Sequence, residues 1–522
     1  MKAPFRVLFS NDTTNITSCT SPYHGRGEPF SQDALEASVD ETAGSGVDVH
    51  MIQPGVAVVP LWKSRQYPYE EHVRWLESTY GVNPQDDSLA RHMLAGGDIV
   101  GAFVSRCRRQ GLVPFVSLRM NDPHGKEYVD SFAGDGIPEI PGLALHSISC
   151  FYRDHPEYRI RPEVDLAHWG TRVLSWIHPE VREWMFGFVR EICEGYDIDG
   201  LELDFMRHFN YFRDDEATRE QRVSIMTEFI SRTRAALDQT ARRGRRRWLC
   251  ARVPCCLGMM DKLGLDLPAL VRSGLDIVNL SASYFTAQQT DLPRVRRMVP
   301  DASIYLEMCH TTMLQYPDVD GYDSFLFRRT TPEQYTTAAH LAYARGARGV
   351  SFFNFVYYRE HGVGDRGPFC EPPFHVFENI GDPDWVAQQP QHYFIGHSET
   401  PPVPESLKMP RSVAPKHPSL FELDMAPPRG GWKQEGRLRI QAEADLGTSQ
   451  WRATMNGVEL PETDDRSEPY PNSYSPLLGT PAQHRAWVVS PRDLRDGSNE
   501  LDVEMVAGDE AAMLVFLDLA VA

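Results

Sequence analysis

The feature of this sequence that most limits its fold is a regular alternation of short apolar runs with longer amphipathic segments between residues 5 and 354. Strand–helix alternation of this kind predicts a parallel sheet, and eight such units predict a (β/α)8 barrel with insertions. An open doubly wound sheet is the alternative, but no G-x-G-x-x-G follows the first run. The predicted strands are Phe5–Ser10, Val47–Ile52, Val113–Leu118, Gly200–Phe205, Trp248–Val253, Asp276–Leu280, Ser303–Met308 and Gly349–Asn354.

The segments between these runs have helical periodicity. Two of them begin with proline followed by glutamate, at Pro179 and Pro332, which suits the first turn of a helix and its positive end. The predicted helices are Gln32–Ala43, Leu89–Gln110, Pro179–Tyr196, Arg219–Arg243, Leu267–Ser273, Leu292–Met298 and Pro332–Arg345.

The character of the chain changes near residue 400, where prolines occur at 401, 402, 404, 410, 415 and 418. We therefore predict a barrel domain over 1–395 and a Pro-rich linker over 396–417. After it, segments such as Arg437–Ala442 and Leu501–Met505 alternate with period two, and turn signals separate them. The sequence therefore predicts a C-terminal antiparallel β-sandwich over 418–522.

Charge and composition exclude several classes of partner. The 53 Lys and Arg against 72 Asp and Glu give a formal net charge of −19, which opposes binding to phosphate backbones. No apolar run approaches the length of a membrane span. The apolar run at Phe5–Phe9 is too short for a secretory signal, which predicts a cytoplasmic protein unless a signal has been trimmed away. The nine cysteines form no C-x-x-C motif, and we predict no metal or cofactor. The sequence is compatible with a homodimer.

Reactive groups in a barrel lie at the carboxyl ends of the strands, so polar residues there are candidates for the site. On the fourth strand Glu202 and Asp204 share one face, opposite Leu201 and Leu203. Carboxylates inside a barrel are costly unless they are paired or used, and carboxylate pairs flank scissile glycosidic bonds in many glycosidases. We predict a role in the site, with a structural ion pair to an arginine as the alternative.

The third strand ends in Arg119 and Asn121, which share a face, and leads to His124 on a turn. A histidine at a barrel mouth can act as acid or base near neutral pH. Asp12, at the end of the first strand, could orient His124, as a carboxylate orients imidazole in catalytic triads. The alternative for Asp12 is an ordinary turn or helix cap.

Three arginines at or just after strand ends, Arg119, Arg207 and Arg252, favour an anionic ligand, because a guanidinium forms a bidentate fork to a carboxylate. Alternatively, these arginines only neutralise nearby carboxylates of the chain. Glu307 and Asn354 end two further strands and are predicted substrate contacts.

Several of these motifs resemble a known family. The segment Asp-Gly-Leu-Glu-Leu-Asp-Phe (199–205) is similar to the fourth strand of barrel glycoside hydrolases. Ser-Asn-Asp-Thr-Thr-Asn (10–15) and Arg-Met-Asn-Asp-Pro-His (119–124), with Arg207 and Asn354, resemble the exo-sialidases of glycoside hydrolase family 156. The resemblance implies a barrel with an appended β-rich domain that cleaves terminal sialic acid with inversion. It implies His124 as a catalytic residue with Asp12 as its partner. It also implies that Arg119 and Arg207 hold the sugar carboxylate and that Asn354 contacts a polar substituent.

The function predicted from the sequence is therefore a glycoside hydrolase that releases terminal acidic sugars. His124, Asp12, Asp204 and Glu202 are its catalytic candidates, and Arg119, Asn121, Arg207, Arg252, Glu307 and Asn354 are its substrate-binding candidates. One alternative is a retaining glycosidase that uses Glu202, Asp204 and Glu307 on another sugar. The other is a glycan-binding protein without catalysis.

Overall fold

A computed structural model describes residues 2–17, 21–25, 28–55, 59–82, 84, 87–129, 146–161, 169–316, 327–359, 370–398, 404–472 and 477–521. Eight parallel strands close into a barrel in the order β1-β2-β3-β4-β5-β6-β7-β10, which confirms the predicted fold class. The barrel strands are β1 (Val7–Asp12), β2 (Val49–Gln53), β3 (Val113–Arg119), β4 (Gly200–Asp204), β5 (Trp248–Pro254), β6 (Ile277–Ser281), β7 (Ser303–Met308) and β10 (Gly349–Phe353). Between β7 and β10, the strands β8 (Thr311–Leu314) and β9 (Phe327–Arg329) form a separate antiparallel pair.

Helices follow the barrel strands at the predicted places, with one break. The predicted helix Leu89–Gln110 is two helices, because Gly96 takes a left-handed φ of 88° and Asp98 caps a new helix by accepting from the Gly101 amide. The α-helices are Thr14–Thr17, Gln32–Asp40, Tyr69–Tyr80, Ser88–Leu94, Ile99–Gln110, Cys150–Asp154, Pro179–Gly195, Arg219–Gln239, Leu257–Leu263, Leu267–Arg272, Leu292–Met298, Pro332–Ala344, Phe377–Ile380 and Pro383–Val386.

The chain divides into two compact units, the first comprising residues 1–281 and 294–305 and the second comprising 282–293 and 306–522. In the first unit, neighbouring residues of β3, β4 and β5 pair in register and stack in layers. The layers, from the amino-terminal end, are Phe115, Gly200 and Trp248; Ser117, Glu202 and Cys250; and Arg119, Asp204 and Arg252.

The layer at the amino-terminal end of the barrel is apolar and closely packed. Phe115 and Trp248 belong to a buried cluster with Phe5, and Gly200 makes room for it, since a Cβ at that position would lie 2.4 Å from the Phe115 ring. Polar and charged side chains therefore begin one layer higher, toward the carboxyl ends of the strands.

The second unit contains two antiparallel sheets around a shared apolar core that includes Phe421, Leu438 and Trp487. One sheet has the order β11-β20-β14-β18-β17 with β12 also paired to β20, and the other has the order β13-β19-β15-β16. The strands are β11 (Gln391–Gly396), β12 (Arg411–Val413), β13 (Ser419–Met425), β14 (Gly436–Ala442), β15 (Gln450–Met455), β16 (Val458–Glu459), β17 (Glu462–Thr463), β18 (His484–Val489), β19 (Gly497–Ala507) and β20 (Ala512–Val521).

Part of the segment predicted as a linker is strand. Arg411–Val413 pairs with β20, as does Gln391–Gly396 from the predicted barrel domain. Both pairings join residues about a hundred or more positions apart, which local composition does not reveal. The domain boundaries at 395 and 417 stay a prediction. Among the described residues, no helix combines the length and apolarity needed to cross a bilayer.

Candidate active site

Glu202 occupies the middle layer of the barrel and is fully buried. Its Oε1 accepts from the Ser117 hydroxyl at 2.8 Å, and its Oε2 accepts from Cys250 Sγ and Asn279 Nδ2, both at 3.2 Å. Three strands therefore each supply a donor to this one carboxylate, which holds it in place inside the barrel.

Asp204, in the layer above, is held by an ion pair. Arg252 Nη1 lies 3.0 Å from Asp204 Oδ1, and both side chains are buried. Gln53 Nε2 donates to Oδ2 at 2.8 Å, and the Met206 amide donates to Oδ1 at 2.8 Å. The sequence pattern leaves open whether Arg252 binds substrate or neutralises a carboxylate, and these contacts correspond to the second role.

Arg119 links two aspartates rather than presenting an open fork. Its Nη2 donates to Asp12 at 2.7 Å, its Nη1 donates to Asp122 at 2.8 Å, and its Nε donates to Gln53 at 2.8 Å. The side chain is 2% exposed. The guanidinium is thus bonded to two carboxylates of the chain, and its predicted contact with a substrate carboxylate stays a prediction.

His124 lies on the turn after β3, and the carboxylate bonded to its ring is that of Asp122. Nδ1 is 2.6 Å from Asp122 Oδ1, and the same oxygen accepts from the His124 amide at 2.8 Å. This local Asx-type turn positions the imidazole two residues after its partner. The sequence pattern predicts Asp12 in this role, but the carboxylate of Asp12 is bonded to Arg119.

Arg207 contacts the other side of the imidazole. Its Nη2 is in hydrogen-bond contact with His124 Nε2, and its Nε lies 3.8 Å from Asp122 Oδ2. A guanidinium can only donate, so Nε2 carries the lone pair and Nδ1 carries the proton that it donates to Asp122. The His124 side chain is 18% exposed, whereas that of Asp122 is fully buried. Among Asp122, His124 and Arg207, the imidazole is therefore the side chain most accessible to solvent or substrate.

The surroundings keep His124 neutral. Burial and the charge of Arg207 lower its pKa to about 4, against the opposing effect of Asp122. Burial acts to raise the pKa of Asp122, but His124, Arg119 and Arg207 outweigh it and hold that pKa well below its usual range. An ionised carboxylate thus faces a neutral imidazole, the arrangement in which histidine can accept a proton.

We expect NMR titration of the folded protein to give His124 a pKa near 4 instead of its ordinary 6.5. The unfolded chain then takes up this proton first as the pH falls. The contribution of His124 to the free energy of unfolding should therefore decrease as the pH falls from 6.5 to 4 and stay constant at lower pH. A His124→Gln variant should show a shallower decrease. An unshifted His124 resonance titrating at 6.5 would contradict the described burial.

Asn121 ties loops together. Its Nδ2 donates to the carbonyls of Leu174 at 2.8 Å and Asn210 at 3.0 Å, and its Oδ1 accepts from the Leu174 amide at 3.0 Å. The side-chain amide bonds to backbone through both its nitrogen and its oxygen, and the substrate contact predicted for Asn121 stays a prediction.

Glu307 and Asn354 belong to the second unit. Glu307 lies in β7 and is 2% exposed. Asn354 directly follows β10, is fully buried and has a left-handed φ of 47°, a conformation that asparagine tolerates better than most residues. Their predicted contacts to a substrate stay predictions.

Two residues of the network escape the sequence-based prediction, Gln53 and Asp122. Gln53 is the last residue of β2 and connects Arg119 to Asp204. Asp122 stands two residues before His124. The rule that polar residues at strand ends converge applies to Gln53, and the Asp-Pro-His sequence is the local signal for Asp122.

A small cavity lies beside this network, lined by Arg119, Asp122, Lys126, Tyr152, Arg172 and Leu174 among others. It offers about 10 Å3 to the centre of a water molecule, which is room for about one water. Within the described part of the chain, no group of three His, Cys, Asp or Glu side chains is placed to hold a metal ion.

Comparison with known proteins gives structural similarity only. No protein-family model matches the chain, and no curated protein matches it. A GH138 enzyme targeting pectin rhamnogalacturonan II is 11% identical with a TM-score of 0.42, over 73% of this chain and 39% of that one. The GH36 alpha-galactosidase AgaA from Geobacillus stearothermophilus is 10% identical with a TM-score of 0.38, over 99% and 56%.

A GH20 beta-N-acetylhexosaminidase from Streptomyces coelicolor A3(2) is 13% identical with a TM-score of 0.37, over 74% of this chain and 61% of that one. The chain thus spans less than two thirds of the length of each of these three glycoside hydrolases. The similarities identify neither the reaction nor the site residues of this chain.

Proposed function

We propose that the protein is a glycoside hydrolase that releases terminal acidic sugars, of the kind cleaved by the exo-sialidases that its motifs resemble. The observation that carries the proposal is the contact of Arg207 with His124 Nε2, above a buried Asp122. A base and an anion-binding group here share one hydrogen bond at the carboxyl end of a barrel, where glycosidase sites lie.

This contact suggests how an acidic substrate would make His124 available as a general base. A sugar carboxylate is a stronger acceptor than neutral imidazole, so Arg207 would turn to it. Nε2 would then be free to accept a proton, and the bound carboxylate would offset the charge that lowers the pKa of His124. A neutral sugar offers no such exchange, which gives selectivity for acidic sugars.

In the proposed reaction His124 Nε2 takes a proton from water, and the hydroxyl adds to the anomeric carbon as the glycosidic C–O bond breaks. The departing oxygen takes one proton from solvent and leaves as the alcohol, and the imidazolium of His124 returns its proton to solvent, so that one water is consumed overall. Attack opposite the leaving group inverts the anomeric centre. Asp12, Glu202 and Asp204 would stabilise the positive charge that develops on the sugar ring. Asp122 acts through His124 by fixing its tautomer.

The direct test is a panel of chromogenic glycosides of sialic acid, uronic acids and neutral sugars, with NMR of the first-formed anomer. We expect turnover of acidic glycosides with inversion, and much slower turnover of neutral glycosides. Turnover of neutral glycosides with covalent labelling of Glu202, Asp204 or Glu307 by a trapping reagent would instead support the retaining alternative. Binding of acidic sugars without any turnover would support a glycan-binding protein.

Replacing Arg207 by lysine tests the proposed exchange, because lysine keeps the charge and loses the fork. We expect kcat/KM for an acidic glycoside to fall roughly 10- to 100-fold, the equivalent of a charge-assisted hydrogen bond. The matched control substrate is the methyl ester of the same glycoside, on which wild type and variant should differ little. Equal losses on both substrates would mean that Arg207 does not recognise the carboxylate.

A further inference from the structure

A group of partly exposed rings lies next to the proposed site. Phe151 and Trp184 are stacked with centroids 4.5 Å apart, and His155 and Tyr158 are stacked at 4.8 Å. Phe151 is 5.6 Å from Tyr158, and Tyr158 is 5.1 Å from His178. All five side chains are half-buried, and that of His155 is 42% exposed. We name these five residues the aromatic platform.

The aromatic platform adjoins the site through a short helix. Cys150–Asp154 carries Phe151 in the platform and, one residue later, the buried Tyr152, which lines the cavity shared with Arg119 and Asp122. One helix thus contributes a residue to the wall of the cavity and a residue to the aromatic platform.

A backbone ladder also fixes the platform to the end of β3. The Ser175 amide donates to the Tyr158 carbonyl at 2.8 Å, and the Ile160 amide donates to the Val173 carbonyl at 2.9 Å. Leu174, between them, is the residue clamped by the Asn121 amide. The rings therefore have a fixed position relative to the strand that leads to His124.

The chemistry of the aromatic platform suits a neutral sugar. The C–H face of a pyranose is apolar and packs on aromatic rings, while its hydroxyls need polar partners at the edge. Glu157 provides such a partner, with its carboxylate 2.9 Å from His155 Nδ1 and 58% exposed. A second acidic sugar would be repelled by this carboxylate.

We infer that the aromatic platform is a subsite for the neutral sugars that precede the terminal acidic sugar in the substrate glycan, a role that rests on the proposed function. It would hold the leaving-group side of the substrate, and so give the protein a preference for extended glycans over simple aryl glycosides.

The test compares Phe151→Leu and Tyr158→Leu with wild type, since leucine retains apolar volume and removes the ring face. We expect KM for an acidic sugar linked to lactose to rise about 5- to 10-fold, and kcat/KM for the aryl glycoside of the same sugar to stay within about twofold. Phe186→Leu is the matched control, because Phe186 lies on the same helix as Trp184 but packs against Arg232.

Lactose binding, followed by ligand-observed NMR, separates this subsite from the reaction itself. Loss of lactose binding in the two platform variants, but not in Phe186→Leu, supports the subsite even where no glycoside is cleaved. The wild-type protein could cleave acidic glycosides while the two platform variants still bind lactose and turn over both substrates at wild-type rates. That result would overturn the subsite and leave the proposed reaction unaffected. Equal losses on the lactoside and the aryl glycoside would overturn it too.

Discussion

The substitution His124→Ala is expected to lower kcat on an acidic aryl glycoside by roughly 10²–10⁴-fold, the range for loss of a general base. The expectation follows from the geometry, because the imidazole is the partly exposed member of its group and is neutral above about pH 4. Added imidazole should restore part of the rate in the alanine variant, since the space and the Asp122 acceptor remain. Steady-state kinetics with and without imidazole provide the measurement.

The matched control is His417→Ala, a substitution of an exposed histidine in the second unit. It should leave kcat unchanged. Thermal unfolding should show that both variants are folded. Unchanged turnover in His124→Ala would remove this residue from the reaction and with it the proposed role of Asp122.

The largest effect on stability is expected from Arg119→Leu. This change removes from Asp12 and Asp122, both buried, the guanidinium that is bonded to both of them. Removal of one partner from a buried ion pair costs about 3–5 kcal/mol, because the remaining charge stays desolvated. Urea unfolding at neutral pH measures the loss.

Arg65→Leu is the control for this substitution. Arg65 forms an ion pair with Glu194 at 2.5 Å, but both side chains are exposed and solvent screens the pair, so the free energy of unfolding should change little. Adding Asp12→Asn to Arg119→Leu should recover part of the lost stability, since one buried charge disappears. A loss in Arg119→Leu no larger than in Arg65→Leu would show that the two carboxylates are not held as described.

The barrel is predictable from the sequence because its determinants are local. Each strand is a contiguous apolar run, and the period-two pattern correctly places Glu202 and Asp204 on one face, where their partners are Ser117 and Arg252. The division of the helix at Gly96 and Asp98 is equally local, but it lies inside a segment whose apolar periodicity is otherwise continuous.

The pairing within the site is not predictable in the same way. Asp12 and Asp122 both stand at strand ends, and nothing in spacing alone decides which of them reaches His124 and which reaches Arg119. The choice depends on the turn at Asp122, whose carboxylate bonds to the amide two residues on, and on the direction of the guanidinium. Both are consequences of three-dimensional packing, as is the pairing of Arg411–Val413 with β20.

The position of β20 in its sheet has a consequence for biosynthesis. β11, β12 and β14 all pair with this one strand, and β11 finds its partners 120 to 130 residues later in the chain. On the ribosome, the apolar side chains of Tyr393, Ile395 and Val413 therefore emerge long before the strand that completes their sheet. Such long-range closure folds slowly and exposes nascent chains to aggregation, so low-temperature synthesis or chaperone supply should raise the folded yield.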